Sequence, residues 1–164
     1  METAQTSVRL VSLDTSTKVS GCALFIDGEL KDHCAIDYSK EKDTDIRMNK
    51  MTLSLVRRLN TWQPDIIVIE HPQGEGRNVL IVSRLSEIVG AVRLYAASKG
   101  VEFHEMMPSS WRRWVNLPQA KKKREELKQL SRKMVLEKYN ILVRDDESDA
   151  ILLGCGYVNM IDNA

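Results

Sequence analysis

Four consecutive β-branched residues, Ile66, Ile67, Val68 and Ile69, stand between Asp65 and Glu70 and constrain this chain more than any other stretch. A strand with one solvated face alternates apolar and polar residues, whereas a short run that is apolar on both faces belongs to a central strand covered on both sides. The flanking segments supply the covers. Before the run, Met48, Met51, Leu55, Leu59 and Trp62 recur at three- and four-residue spacing, forming one apolar face of a helix that Pro64 ends. After it, Ile81, Leu85, Ile88, Val92 and Tyr95 form a second such face, with Gly100 just past the helix end. Gly90, Ala91, Ala96 and Ala97 are predicted to keep this helix slim for close packing on a sheet.

Residues 8–14 and 20–26 read as strands. Residues 29–38 read as a third, joined to the second by Asp27-Gly28, a hairpin signal because both residue types tolerate positive φ. Residues 71–78 (HPQGEGRN) form a loop, and residues 101–106 a further strand. After Pro108 come a short segment with Trp111 and Trp114, a charged helix over 120–139 and a last helix over 146–160. The order β-β-β-α-β-α-β-α-α predicts an α/β fold, a five-stranded mixed sheet flanked by helices, in a single domain spanning residues 1–164.

Composition narrows the class of protein. An apolar share of 43% and a charged share of 29% are ordinary for a soluble domain. No apolar run reaches the ~18 residues of a membrane span, and the polar residues 1–7 lack the apolar core of a secretion signal. Cys22, Cys34 and Cys155 are scattered and fit reduced, buried thiols rather than a disulfide framework or a zinc site. These features predict a cytoplasmic protein. The net charge of +1 conceals a division: Ser109 to Lys138 holds ten Lys/Arg against three Glu, and residues 139–164 hold one Arg against five acids. A basic segment beside an acidic one suits a protein that attracts a polyanion and sets metal ions against it.

Acids stand at the ends of apolar elements. Asp14 closes the first strand and Glu70 the buried one, at the carboxyl edge where open α/β sheets place ligands. Asp146 and Asp149 are three apart and share a helix face. Mg²⁺ takes oxygen ligands from a few carboxylates together with water and phosphate, so carboxylates converging from separate elements suit phosphodiester hydrolysis. Plainer readings exist. Asp14 also suits a turn former, and Asp145, Asp146, Glu147 and Asp149 suit a helix N-terminus. Glu70 is harder to dismiss, because an acid abutting four Ile/Val residues carries a desolvation cost unless something pairs it.

In four places the chain resembles the RuvC-type Holliday-junction resolvases of the ribonuclease H-like superfamily, especially the compact versions carried by phages. SLDTSTKVSGCALF (12–25) is similar to the first motif of that family, PDIIVIE (64–70) to the second, GAVRLYAA (90–97) to its small-residue helix and DDESDAILLG (145–154) to the last. The resemblance implies a metal-dependent endonuclease whose catalytic metal ligands are Asp14, Glu70, Asp146 and Asp149, with Asp145 and Glu147 as competitors for the place of Asp146. It implies two Mg²⁺ ions, for which Mn²⁺ substitutes, and a homodimer cutting four-way DNA junctions at symmetric positions. Arg112 matches one basic position of the family, and Lys123 or Arg124 a second. Arg113, Lys121 and Lys122 complete the expected DNA-binding set, against the plainer reading of a solvated helix face.

Trp111 and Trp114 read as core or dimer anchors rather than base-stacking groups, and His71 as structural; His33 and His104 receive no role. Well-studied bacterial members of that family carry a junction-probing aromatic after the second-motif Glu. The loop 71–78 has none, which leaves a broader branched-DNA nuclease open beside a strict junction resolvase. Three rival readings remain: an ATP-binding protein of the actin-like superfamily, an RNA-processing nuclease of the same fold, and a catalytically dead DNA-binding module. LDTSTKVSGCAL also resembles the actin-like phosphate-binding opening, but 164 residues are too few for its two lobes, so no nucleotide cofactor is expected.

Overall fold

The computed structural model describes residues 6–73 and 78–164. The chain runs β1 (Arg9–Asp14), β2 (Val19–Ile26), β3 (Glu29–Asp37), α1 (Thr44–Trp62), β4 (Ile66–Glu70), α2 (Val79–Lys99), β5 (Glu102–Met106), α3 (Pro108–Trp114), α4 (Arg124–Tyr139) and α5 (Asp145–Asp162). The strands form one sheet in the order β3-β2-β1-β4-β5. The β1–β2 and β2–β3 pairs are antiparallel, and the β1–β4 and β4–β5 pairs parallel, giving a five-stranded mixed sheet flanked by helices.

The Ile/Val run does what its composition requires. Ile67 and Ile69 pack with Met51, Leu55 and Leu59 of α1 and Ile88 and Val92 of α2. Val68 faces the other way, towards Trp111 of α3, Val135 of α4 and Ile151 and Leu153 of α5. All three β4 residues are fully buried, and each such side chain contributes roughly 1.5–3 kcal/mol of transfer free energy. The β2–β3 turn uses the left-handed conformations its residues permit, with φ of 52° at Asp27 and 81° at Gly28. Helix α1 begins where the Asp43 carboxylate accepts the Ile46 N–H at 2.9 Å, and ends at Gln63, left-handed with φ 47° ahead of Pro64.

Four expectations need correction. The charged helix starts at Arg124 rather than at residue 120: Lys121 is left-handed with φ 58°, which interrupts a helix, and Glu126 accepts the Lys123 N–H at 3.2 Å. Lys121, Lys122 and Lys123 therefore precede the helix. The small residues of α2 do not uniformly serve close packing. Ala96 is buried in the core, but Ala97 is exposed and a Cβ on Gly90 would meet nothing within 4 Å. The first turns of α2 also lie outside the core, with Ile81 51% exposed, because they overhang a cleft that Ile81, Val82 and Leu85 line. Cys34 is only half-buried, whereas Cys22 and Cys155 are buried. Of the loop at 71–78, residues 74–77 lie outside the described residues. Among the described residues no helix is long and apolar enough to cross a membrane.

Candidate active site

Strands β1 and β4 are parallel neighbours with Leu13 opposite Ile69, so Asp14 and Glu70 leave the sheet side by side at its carboxyl edge. Helix α5 brings the other acids across this edge. Its first turn rests on Gly21 of β2, the residue paired with Asp14: a Cβ there would lie 1.8 Å from the carbonyl oxygen of Asp146. Further along, the buried Ser12 hydroxyl donates to the carbonyl of Ala150 at 2.6 Å. Gly154 admits the Phe25 ring, which a Cβ would meet at 2.2 Å. Docked this closely, α5 places Asp146 and Asp149 with Asp14 and Glu70 along one cleft of about 740 Å³.

The acids perturb one another. Asp14 is pushed well above the usual carboxylate range, by burial first and then by the charges of Glu70, Asp149 and Asp146. Burial raises Glu70 to about 7 against an opposing hydrogen bond from Trp111, with Asp149 raising it further. Burial likewise raises Asp149 to about 6, opposed by the Ser131 hydroxyl and Arg112. Asp146 is raised by burial. The Oδ1 atom of Asp149 is buried with no hydrogen-bond partner. A cluster of unwilling anions with an orphaned oxygen is stabilised by a cation, and an all-oxygen donor set suits a hard divalent ion. Among the described residues no three acid, His or Cys side chains already stand as a closed coordination shell. The carboxylates share the cleft and its repulsion without clasping a common point.

Ion pairing separates the first-turn acids of α5. Asp145 lies 2.8 Å from Nη1 of Arg132 and 3.4 Å from Nζ of Lys128, at the edge of the same cleft it helps to line. Glu147 meets Nδ1 of His33 at 2.6 Å, so His33, given no role from sequence, anchors the start of α5 to β3. Asp146 makes no ion pair among the described residues and faces the cleft. The basic set divides too. Arg112, Lys122 and Arg124 line the cleft, joined by Lys128, which sequence reasoning missed. Arg113, Lys121 and Lys123 are exposed and outside it. His71 also lines the cleft but pairs with Glu105 at 2.5 Å, and His104 pairs with Glu102 and stacks obliquely on Tyr157.

Two further residues shape the site: Trp111, read from sequence only as a core or dimer anchor, and Arg47, which had no reading. Trp111 is fully buried, and its Nε1–H donates to Oε2 of Glu70 at 2.7 Å. Arg47 of α1 is buried and donates to the carbonyls of Thr17 at 3.0 Å and Glu41 at 2.8 Å, pinning the turn after Asp14 that forms one lip of the cleft. Neither carries a motif. The basic patterning of residues 109–138 marked Arg112 but gave no reason to connect its neighbour with residue 70.

No family model matches the sequence, and no curated protein matches it. Solved structures do. T. thermophilus RuvC, in complex with a Holliday junction substrate, superposes with a TM-score of 0.72 at 15% identity, over 96% of this chain and 97% of that one. The same protein in a structure described only as T. thermophilus RuvC gives 0.72 at 15% identity, over 95% and 96%. The yeast mitochondrial Holliday junction resolvase gives 0.59 at 17% identity, over 93% of this chain and 78% of that one. Agreement along nearly the whole chain at so little identity is agreement of architecture. The protein therefore has the ribonuclease H-like fold, in the arrangement seen in the RuvC-type Holliday-junction resolvases.

Proposed function

We propose that this protein is a Mg²⁺-dependent endonuclease that cuts branched DNA and resolves Holliday junctions by paired phosphodiester hydrolysis. The observation that carries this reading is the buried, partnerless oxygen of Asp149 beside Asp14 and Glu70, in a cleft whose other wall is cationic. Asp14, Glu70, Asp146 and Asp149 would hold the metal, two ions in the simplest scheme, with Mn²⁺ able to substitute for Mg²⁺. When bound, such ions activate the attacking water and stabilise the departing oxygen. Arg112, Lys122, Arg124 and Lys128 bind the phosphates that flank the scissile bond and orient the strand across the cleft. Arg113, Lys121 and Lys123 extend this contact along the DNA outside the cleft. The solved resolvases of the same architecture support the substrate class, one of them bound to a Holliday junction.

Paired cutting requires two active sites, and we assign the protein as a homodimer. The support is uncovered apolar side chains at both ends of α2, Val79 and Leu80 at 88% and 60% exposure near its start and Leu94 at 71% towards its end. Because the 71–78 loop carries no aromatic residue, a broader preference that includes flaps is the second reading.

The test is cleavage of labelled four-way junction, flap, linear duplex and RNA, with Mg²⁺ or with EDTA, together with an ATP-binding assay. Metal-dependent cutting of the junction is expected, with Asp149→Asn and Asp146→Asn retaining junction binding and losing at least about a hundredfold in rate. Asp145→Asn, whose carboxylate is held by Arg132 and Lys128, is expected to stay within about threefold of wild type. Unchanged cutting by Asp149→Asn would sink the assignment. Preference for RNA, or ATP binding without cutting, would select the corresponding rival.

A further inference from the structure

We propose that Trp111 is a positioning residue: its indole N–H orients the Glu70 carboxylate while its ring face holds the Arg112 guanidinium. This deepens the nuclease reading and rests on it.

The indole reaches both groups from a fixed seat. Trp111 is fully buried among Val68, Val135, Ile151 and Leu153. Its backbone is pressed against α5, where a Cβ on Gly156 would lie 2.9 Å from the Trp111 carbonyl oxygen and 3.0 Å from its Cβ. The Asn159 side chain, also on α5, donates to the Trp114 carbonyl at 3.0 Å and ties down the end of α3. The helix that carries Asp146 and Asp149 thus also seats the tryptophan, and the indole cannot retreat from the cleft without moving that helix.

From this seat Nε1 donates to Oε2 of Glu70 at 2.7 Å, a short bond typical of a charged acceptor. It is the one side-chain hydrogen bond Glu70 receives among the described residues, and it leaves Oε1 free to face a ligand. An indole N–H suits this task because it only donates, so it fixes a carboxylate without competing for a cation. On the ring face, the Arg112 guanidinium carbon lies 5.0 Å from the centroid, within the range of cation–π attraction. The Nε of Arg112 is buried with no hydrogen-bond partner, so the ring, and not a hydrogen bond at Nε, holds that end of the guanidinium. One rigid side chain therefore sets the relative placement of a carboxylate and a guanidinium that both line the cleft. Outer partners of metal-binding side chains commonly change metal affinity by about 10–100-fold when removed.

Trp111→Phe keeps an aromatic ring in the core and beneath Arg112, and deletes only the N–H and part of the ring. Calorimetric titration of the full chain with Mn²⁺ is expected to show affinity about tenfold weaker than wild type. Half-saturating Mg²⁺ for junction cutting is expected to rise by about the same factor, with kcat at saturating metal within about threefold. A second measurement needs no variant at residue 111. Of the three tryptophan indole N–H signals in a ¹H–¹⁵N spectrum, that of Trp111 is expected to move on adding Mg²⁺ and in Glu70→Gln. The signal of Trp62, whose Nε1 donates to Asp32 at 3.2 Å far from the cleft, is expected to stay still. Wild-type Mn²⁺ affinity in Trp111→Phe, or a Trp111 signal indifferent to both Mg²⁺ and Glu70→Gln, would overturn the proposal. A wild-type protein that binds Mn²⁺ and cuts no nucleic acid would remove the nuclease reading, while the calorimetry and the spectrum would still decide the role of Trp111.

Discussion

Glu70→Gln is expected to stabilise the metal-free protein at pH 8 by on the order of 2–3 kcal/mol while abolishing metal-dependent cutting. Glu70 has its pKa raised from 4.5 to about 7 in the folded chain, chiefly by burial. A raised folded-state pKa means that the unfolded chain gives up its proton first. The favourable contribution of the neutral acid is complete below about pH 4.5 and is lost as pH rises through about 7. Above that point the folded state holds a charge it would rather shed, and Gln, which cannot ionise, is free of the penalty. Asp149, raised from 3.8 to about 6, behaves in the same sense over a lower window.

The measurement is thermal or urea unfolding of wild type and Glu70→Gln between pH 5 and 8, in EDTA and in Mg²⁺. Wild type in EDTA is expected to fall relative to the variant as pH rises, to a midpoint difference of roughly 5–10 °C at pH 8. Mg²⁺ is expected to narrow the gap by stabilising only the protein whose acids can hold it. A wild type that matches or exceeds Glu70→Gln at pH 8 in EDTA would show that burial does not penalise the Glu70 charge. A bound cation would then have no strain at Glu70 to relieve.

Gly21→Ala is expected to be the most damaging small substitution in the chain. The added Cβ would lie 1.8 Å from the Asp146 carbonyl oxygen and 2.3 Å from its carbon. The obstruction is backbone on both sides, a central strand against the first turn of α5, so no rotamer change relieves it. Either α5 lifts from the sheet or the strand bends. Overpacking of this kind costs about 1–3 kcal/mol, and the upper end applies where backbone must move. A displacement near 1 Å of the turn carrying Asp146 is expected to reduce cutting by about a hundredfold even in molecules that fold. Urea unfolding and single-turnover cutting test the two effects separately. Wild-type values in both would mean that α5 does not sit where the geometry puts it.

Much of this architecture is readable in one dimension because apolar periodicity is local. The Ile/Val run between Asp65 and Glu70, the repeating face of α1 and the Asp27-Gly28 turn each carry their instruction within a few residues, and the element order follows from them. The positions of Asp14 and Glu70 at the ends of β1 and β4 are legible for the same reason. The start of α4 was not, because a run of Lys and Arg is compatible with helix and the interruption is a backbone choice at Lys121. Nor was the outward lean of the first turns of α2, since apolar spacing says which residues share a face and not how far the sheet beneath them extends.

By itself, then, the sequence determined a covered central strand, the acids at two strand ends, and a basic segment followed by an acidic helix. The tertiary structure decided which charges meet. Arg132 pairs with Asp145, which also lines the cleft, and His33 with Glu147, whereas Asp146, free of ion pairs among the described residues, shares the cleft with Asp149, Asp14 and Glu70. Lys128 joins the cleft that Arg113 does not line, and Trp111 reaches Glu70 across 41 residues of chain. Spacing cannot encode such pairings. They depend on sheet register and on how closely α5 docks, and that depth was set by Gly21, Gly154 and Gly156, where a missing side chain lets backbone and rings approach.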